Sequence, residues 1–176
     1  MTIYTLRVML VQTPFDEGDG TWRTIEIKGS QTLDQLHRAI FKSFGRWDEH
    51  LYSFFLSSDR RDASREYASP YFFEEDDFAL GARPHNARHT KIDQLSLRSR
   101  QTFNYVFDYG DDWEHMITVL RIREEAGAGR YPKVVERYGD SPAQYPPLPG
   151  DEYEDEDLEN FEAGPAKIIH LFEPRG

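Results

Sequence analysis

The stretch FNYVFDYGDDWEHMITV, residues 103–119, sets two alternating aromatic runs around a knot of carboxylates. Phe103, Tyr105 and Phe107 alternate with Asn104 and Val106, and after DYGDD the alternation resumes from Trp113 to Ile122. Successive side chains of a strand point to opposite faces, so the two runs read as half-buried strands and the knot as the turn of a hairpin. Gly110 is expected to supply a left-handed backbone conformation that other residues resist, and the aspartates to accept hydrogen bonds from turn amides. His115 then shares a face with Trp113, Ile117 and Val119, and Glu114 points the other way.

Upstream, Ile3 to Val11 alternate with Tyr4, Leu6, Val8 and Leu10 on one side, PFDEGDG carries turn chemistry, and TWRTIEI reads as the second strand of an opening hairpin. In TLDQLHRAIFKSFG, Thr32 can cap a helix, Gln35 can complete a capping box, and Gly45 stands where a left-handed C-terminal residue is wanted. Leu33, Leu36, Ile40 and Phe44 form its apolar stripe, joined by His37 and Phe41. After the loop RWDEH, LYSFFL reads as a third strand. SSDRRDAS and GARPHNARH read as loops, KIDQLSLRSRQ as a short helix or turn, and YPKVVERYGDSPAQYPPLPG as a mostly irregular arm. The expected class is α+β: a single domain with a β-grasp-like mixed sheet, a helix packed on one face and a C-terminal irregular arm. The domain spans residues 1–150, and 151–176 hold an acidic C-terminal segment and the apolar stretch KIIHLFEP.

The chain has 176 residues, 38% hydrophobic and 14% aromatic, so one domain can bury a real core to which aromatic rings contribute much of the area. The absence of cysteine excludes disulfides, thiolate metal ligands and cysteine nucleophiles together. MTIYTLRVMLVQTPF lacks the basic segment, apolar run and cleavage site of a secretory signal, and no later stretch reaches membrane-spanning length. A cytoplasmic protein without a membrane partner is expected. A net charge of -11 opposes a phosphate backbone and disfavours nucleic acid as a partner. Much of the excess sits in DEYEDEDLE, residues 151–159, whose seven carboxylates read as a solvated, mobile segment. Arg83, Arg88, Lys91, Arg98 and Arg100 are candidates for a basic strip that takes a polyanion.

Asp108, Asp111, Asp112, Glu114 and His115 offer five oxygen or nitrogen ligands within eight residues. On a strand they alternate and cannot all converge on one ion. The run also lacks the glycine and distal glutamate of an EF-hand loop and the two-histidine spacing of zinc proteases. No metal and no cofactor are expected. A structural turn is the favoured reading and a functional surface the alternative. His37, on the apolar helical stripe, reads as a satisfied core histidine, yet beside His115 it would form a pair suited to acid-base work. Asp108, Asp111, His115 and His37 are therefore the candidate catalytic residues. His85 and His89 read as loop residues.

Three segments, TLDQLHRAIFKSFGRWDEHLYSFFL, FNYVFDYGDDWEH and YPKVVERYGDSPAQYP, resemble in that order the plasmid pRiA4b ORF-3-like family, and the resemblance runs to about Pro149. HLYSFF, FDYGDDW and PAQYP are similar to one branch rather than to the commoner pattern ending in two prolines, an acidic pair and two glycines. Trp47, His50, Tyr52, Asp112 and Trp113, all within these segments, are the candidate binding residues. Members of this family are labelled passengers of mobile elements, sometimes resolvase-like, so the resemblance implies a recombination role. The residues argue against it. YTLRVML offers no serine nucleophile, and the histidine-arginine spacing of HNAR, residues 85–88, is common by chance in a chain short for a tyrosine recombinase. The favoured reading is a non-catalytic module that binds a protein partner through aromatic and acidic features. The alternatives are a metal-dependent or acid-base enzyme using the Asp/His hairpin, and a nucleic-acid-binding accessory protein.

Overall fold

The alternation at the N-terminus becomes β1 (Thr2–Gln12), antiparallel to β2 (Trp22–Lys28) with Leu6 opposite Ile25. The computed structural model describes residues 1–14, 20–57, 62–73, 83–124 and 129–145. Next comes α1 (Leu33–Ser43), whose capping box forms as read: Thr32 Oγ1 accepts from Gln35 N at 3.3 Å, and Gln35 Oε1 accepts from Thr32 N at 2.9 Å. Gly45, with φ +69°, ends the helix in the left-handed conformation that glycine adopts without steric cost. The remaining strands are β3 (Tyr52–Phe55), β4 (Glu66–Ala68), β5 (His85–Asn86), β6 (Thr102–Phe107), β7 (Trp113–Glu124) and β8 (Lys133–Tyr138).

The eight strands of the described residues lie in one mixed sheet, in the order β5-β4-β3-β6-β7-β1-β2-β8, with β4 and β5 parallel. The registers build continuous apolar rows across the strands. Leu10, His115, Tyr105 and Phe54 form one, flanked by Val8, Ile117 and Phe103 on one side and Trp113, Phe107 and Tyr52 on the other. Helix α1 covers these rows with Leu33, Leu36, His37 and Ile40, and Phe44 at its C-cap extends the cover. Each large apolar side chain so buried contributes about 1.5–3 kcal/mol. On the other face stand polar residues: Arg7 lies 4.1 Å above the Trp22 ring, and Glu26 pairs with Arg123 at 2.7 Å and Lys133 at 3.1 Å. An antiparallel sheet can leave one face to water in this way.

The arm expected to be irregular supplies β8, which pairs with β2 at the sheet edge. Its residues are mostly exposed, so no buried face imposed an alternation on the sequence. Likewise His85–Asn86, read as loop, pairs with Tyr67 and Ala68. Residues Met1–Gln144 form one compact unit. The acidic segment 151–159 and KIIHLFEP lie outside the described residues. No helix among the described residues is long and apolar enough to cross a membrane.

Candidate functional site

The β6–β7 turn is built by its aspartates. Asp108 Oδ1 accepts from the backbone N–H of Gly110 at 3.0 Å and of Asp111 at 3.4 Å, while Asp108 N donates to Leu51 O at 2.9 Å. The left-handed positions are Asp108 (φ 61°) and Asp112 (φ 51°), and Gly110 is not among them. The expectation for Gly110 is thus corrected. Aspartate tolerates this region because its short carboxylate can bond locally, as that of Asp108 does. His50 Nε2 lies 3.2 Å from Asp48 Oδ2 and 3.5 Å from Asp108 Oδ2.

The two core histidines approach Tyr105 from different elements. From α1, His37 places Nδ1 2.8 Å from the Tyr105 hydroxyl and stacks on Tyr52 with ring centroids 3.7 Å apart. The Tyr52 hydroxyl donates to Asp34 Oδ1 at 2.8 Å, and Asp34 pairs with Arg38 at 3.1 Å. From β7, His115 sets Nδ1 3.2 Å from Trp113 O, with its ring 5.3 Å from Tyr105 and edge-on to Phe44 at 4.9 Å. Burial pushes both histidines down to about 3. It also raises the hydroxyls of Tyr52 and Tyr105. All four groups are neutral at pH 7. A general acid or base works best with a pKa near the working pH, and neither imidazole meets that condition.

Arg46 holds this end together. It follows Gly45, is 6% exposed, stacks its guanidinium 3.6 Å over the Trp113 ring, and donates from Nη1 to Pro142 O at 2.8 Å. Burial lowers its pKa to about 10, which leaves it charged at neutrality. Residues 139–144 strap the loop 45–48. Gln144 Oε1 accepts from Trp47 N at 3.0 Å and Asp48 N at 3.1 Å, and its Nε2 donates to Asp48 O at 2.8 Å. Ser141 Oγ donates to Phe44 O at 2.7 Å, and Arg23 Nε and Arg137 Nη1 donate to Ser43 O at 3.0 and 3.1 Å. Cations and hydroxyls thus satisfy carbonyls at the negative end of α1. Sequence reasoning missed Arg46, Gln144 and Arg23. The one local signal was the place of Arg46 directly after a helix-ending glycine.

Around this framework the surface is aromatic and acidic. Trp47 is 71% exposed and Tyr71 51% exposed, and Leu51 and Tyr109 are also open to solvent. Glu49, His50, Leu51 and Tyr71 line a shallow cavity of about 370 Å³. Of the candidate binding residues, Trp47, His50 and Asp112 reach the surface, whereas Tyr52 and Trp113 belong to the core. The candidate catalytic residues separate in the same way: Asp108, His37 and His115 are buried, and Asp111 is half-buried in the turn. No three His, Asp or Glu side chains among the described residues are grouped to hold a metal ion. Arg83, Arg88, Lys91, Arg98 and Arg100 are all exposed, and of these Arg98 and Arg100 line a second cavity.

A family model described as plasmid pRiA4b ORF-3-like protein matches residues 2–144. No curated protein matches the chain. Among solved structures, the crystal structure of a protein of unknown function from Methanosarcina mazei Go1 is similar, with a TM-score of 0.58 and 18% identity, over 80% of this chain and 71% of that one. At that identity the likeness concerns the fold alone.

Proposed function

The chain belongs to the plasmid pRiA4b ORF-3-like family, and from that premise we propose that it is a non-catalytic protein-interaction module whose binding surface is the Trp47–Tyr71 end of the sheet. One observation carries the reading: the ionisable candidates for chemistry are spent on the fold, while large aromatic side chains are left outside it. Asp108 serves turn amides, and His37 and His115 are neutral in the core. Trp47 and Tyr71 stand open to solvent, and Tyr71 lines the cavity at His50. Aromatic side chains are the preferred anchors of protein interfaces. Asp48 and Glu49 follow Trp47 directly in the chain and Glu49 lines the cavity with Tyr71, a charge pattern that steers a Lys/Arg-bearing segment and repels an acidic one. Association with mobile elements, a cytoplasmic location and the β-grasp-like description of the sheet are parts of the same proposal.

The test is a parallel capture with the full chain and with Trp47→Ala, followed by titration of whatever the wild type retains. A Lys/Arg-bearing partner should bind the wild type and lose at least about tenfold in affinity on Trp47→Ala. Equal binding to both proteins would refute the surface.

A further inference from the structure

Six residues of β6 carry the chain from the acidic turn back to an end of opposite charge, about 20 Å away at the rise of a strand. There Arg65, Arg98 and Arg100 line a cavity of about 640 Å³ together with Leu95, Ser96 and Ser99. No carboxylate is among the described residues that line it. Three arginines thus share one cavity in a chain of net charge -11.

The cavity is held in shape before any ligand arrives. Arg65 is aimed by a bond from its Nη1 to Leu56 O at 3.1 Å. The loop 96–101 is pinned by buried Leu97, by Arg100 N donating to Val119 O at 2.7 Å, and by Val119 N donating to Gln101 O at 2.9 Å. Gln101 Oε1 accepts from Arg98 N at 3.0 Å. Within that loop Ser96 (φ 51°) and Arg100 (φ 68°) hold left-handed conformations, which side chains other than glycine resist unless the surroundings impose them. The side chains of Arg98 and Arg100 make no hydrogen bond or ion pair with any described residue. Their donors are available to a ligand.

We propose that this cavity binds a small phosphorylated molecule, its phosphate held by Arg65, Arg98 and Arg100. A guanidinium presents paired N–H donors in a plane that matches two phosphate oxygens, and Ser96 and Ser99 add hydroxyl groups. The volume is that of a small-molecule site, and Leu95 supplies an apolar contact for the remainder of the ligand. A polynucleotide fits less well. Arg83, Arg88 and Lys91 are not among the described residues that line the cavity and so extend no basic track from it, and the net charge opposes a polyanion.

Calorimetric titration of the full chain with inorganic phosphate, pyrophosphate, ADP and a short duplex DNA tests this. Pyrophosphate or ADP should saturate, with affinity falling as salt rises, and Arg98→Gln/Arg100→Gln should weaken it at least tenfold without moving the thermal midpoint. Arg98→Lys should fall between, because it keeps the charge and loses the fork. Arg83→Gln/Arg88→Gln should bind as the wild type. Three results would overturn the assignment: no saturation by any phosphate probe up to about 10 mM, equal affinity in the Arg98/Arg100 variant, or duplex DNA bound more tightly than pyrophosphate.

Discussion

The two ends of β3 and β6 differ in what their charged side chains are used for. At the acidic end, Asp108 is bonded into the turn, Arg46 is buried against Trp113, and Gln144 stitches the strap to the loop 45–48. At the basic end, Arg98 and Arg100 project from a loop whose shape depends on backbone bonds and on buried Leu97. Charge at the first end has become structure, and charge at the second remains available. Residues of one chemical type should therefore behave in opposite ways at the two ends, and the layer of neutral histidines between them should fail when acidified.

The largest expected effect is that of pH. His37 and His115 titrate at about 3 when folded, against about 6.5 unfolded. Below that unfolded value the unfolded chain binds protons that the folded chain refuses, so stability is greatest above about 6.5 and is lost progressively as pH falls towards about 3. Each histidine contributes a slope of about 1.4 kcal/mol per pH unit within that window. Urea unfolding at pH 7, 6, 5 and 4 should show the loss, and His115→Gln should flatten the slope by about one histidine's share. Identical slopes in the two proteins would mean that His115 is not held neutral.

Next in size, Arg46→Ala should cost about 3 kcal/mol, because it removes the packing on Trp113 and the bond to Pro142 together. Arg98→Ala should leave the unfolding midpoint in place. Comparable losses in both would erase the contrast between the ends. Arg46→Met should be milder than Arg46→Ala, since Arg46 Nε and Nη2 are buried without a hydrogen-bond partner and an apolar side chain of similar length carries no such cost.

Gln144→Ala should cost about 2 kcal/mol by releasing two backbone donors and one acceptor in the loop 45–48. Hydrogen exchange should rise first at Trp47 and Asp48. Unchanged protection there would show that the strap does not hold the loop.

The smallest effects sharpen the turn. Asp108→Ala should cost about 1–2 kcal/mol, losing both side-chain acceptor bonds while leaving alanine in a left-handed conformation. Gly110→Ala should change stability by no more than about 0.5 kcal/mol, since Gly110 has no positive φ and an added Cβ would meet only Asp108 Oδ1 at 3.3 Å. A larger loss at Gly110 than at Asp108 would reverse the assignment of the turn.

Some of this was legible from local pattern. The alternation in residues 3–11 and 103–107, the Thr32–Gln35 box and Gly45 specify β1, β6 and α1, because a strand period, a helix period and a cap each lie within a few residues of chain. The same pattern placed His115 with Trp113, Ile117 and Val119 on the buried face. It was silent on β8, an exposed edge strand with no face to bury. It also assigned the left-handed residue of the turn to glycine, where the bonding capacity of aspartate prevailed. The hydrogen-bond partners of Arg46 and Gln144 lie 96 or 97 residues away in sequence, and Arg65, just before β4, joins Arg98 and Arg100 only because β4 pairs with β3 and β3 with β6. Contacts of that range leave no periodic trace in a single chain, since they depend on which strands become neighbours and not on the spacing of residues within any one of them.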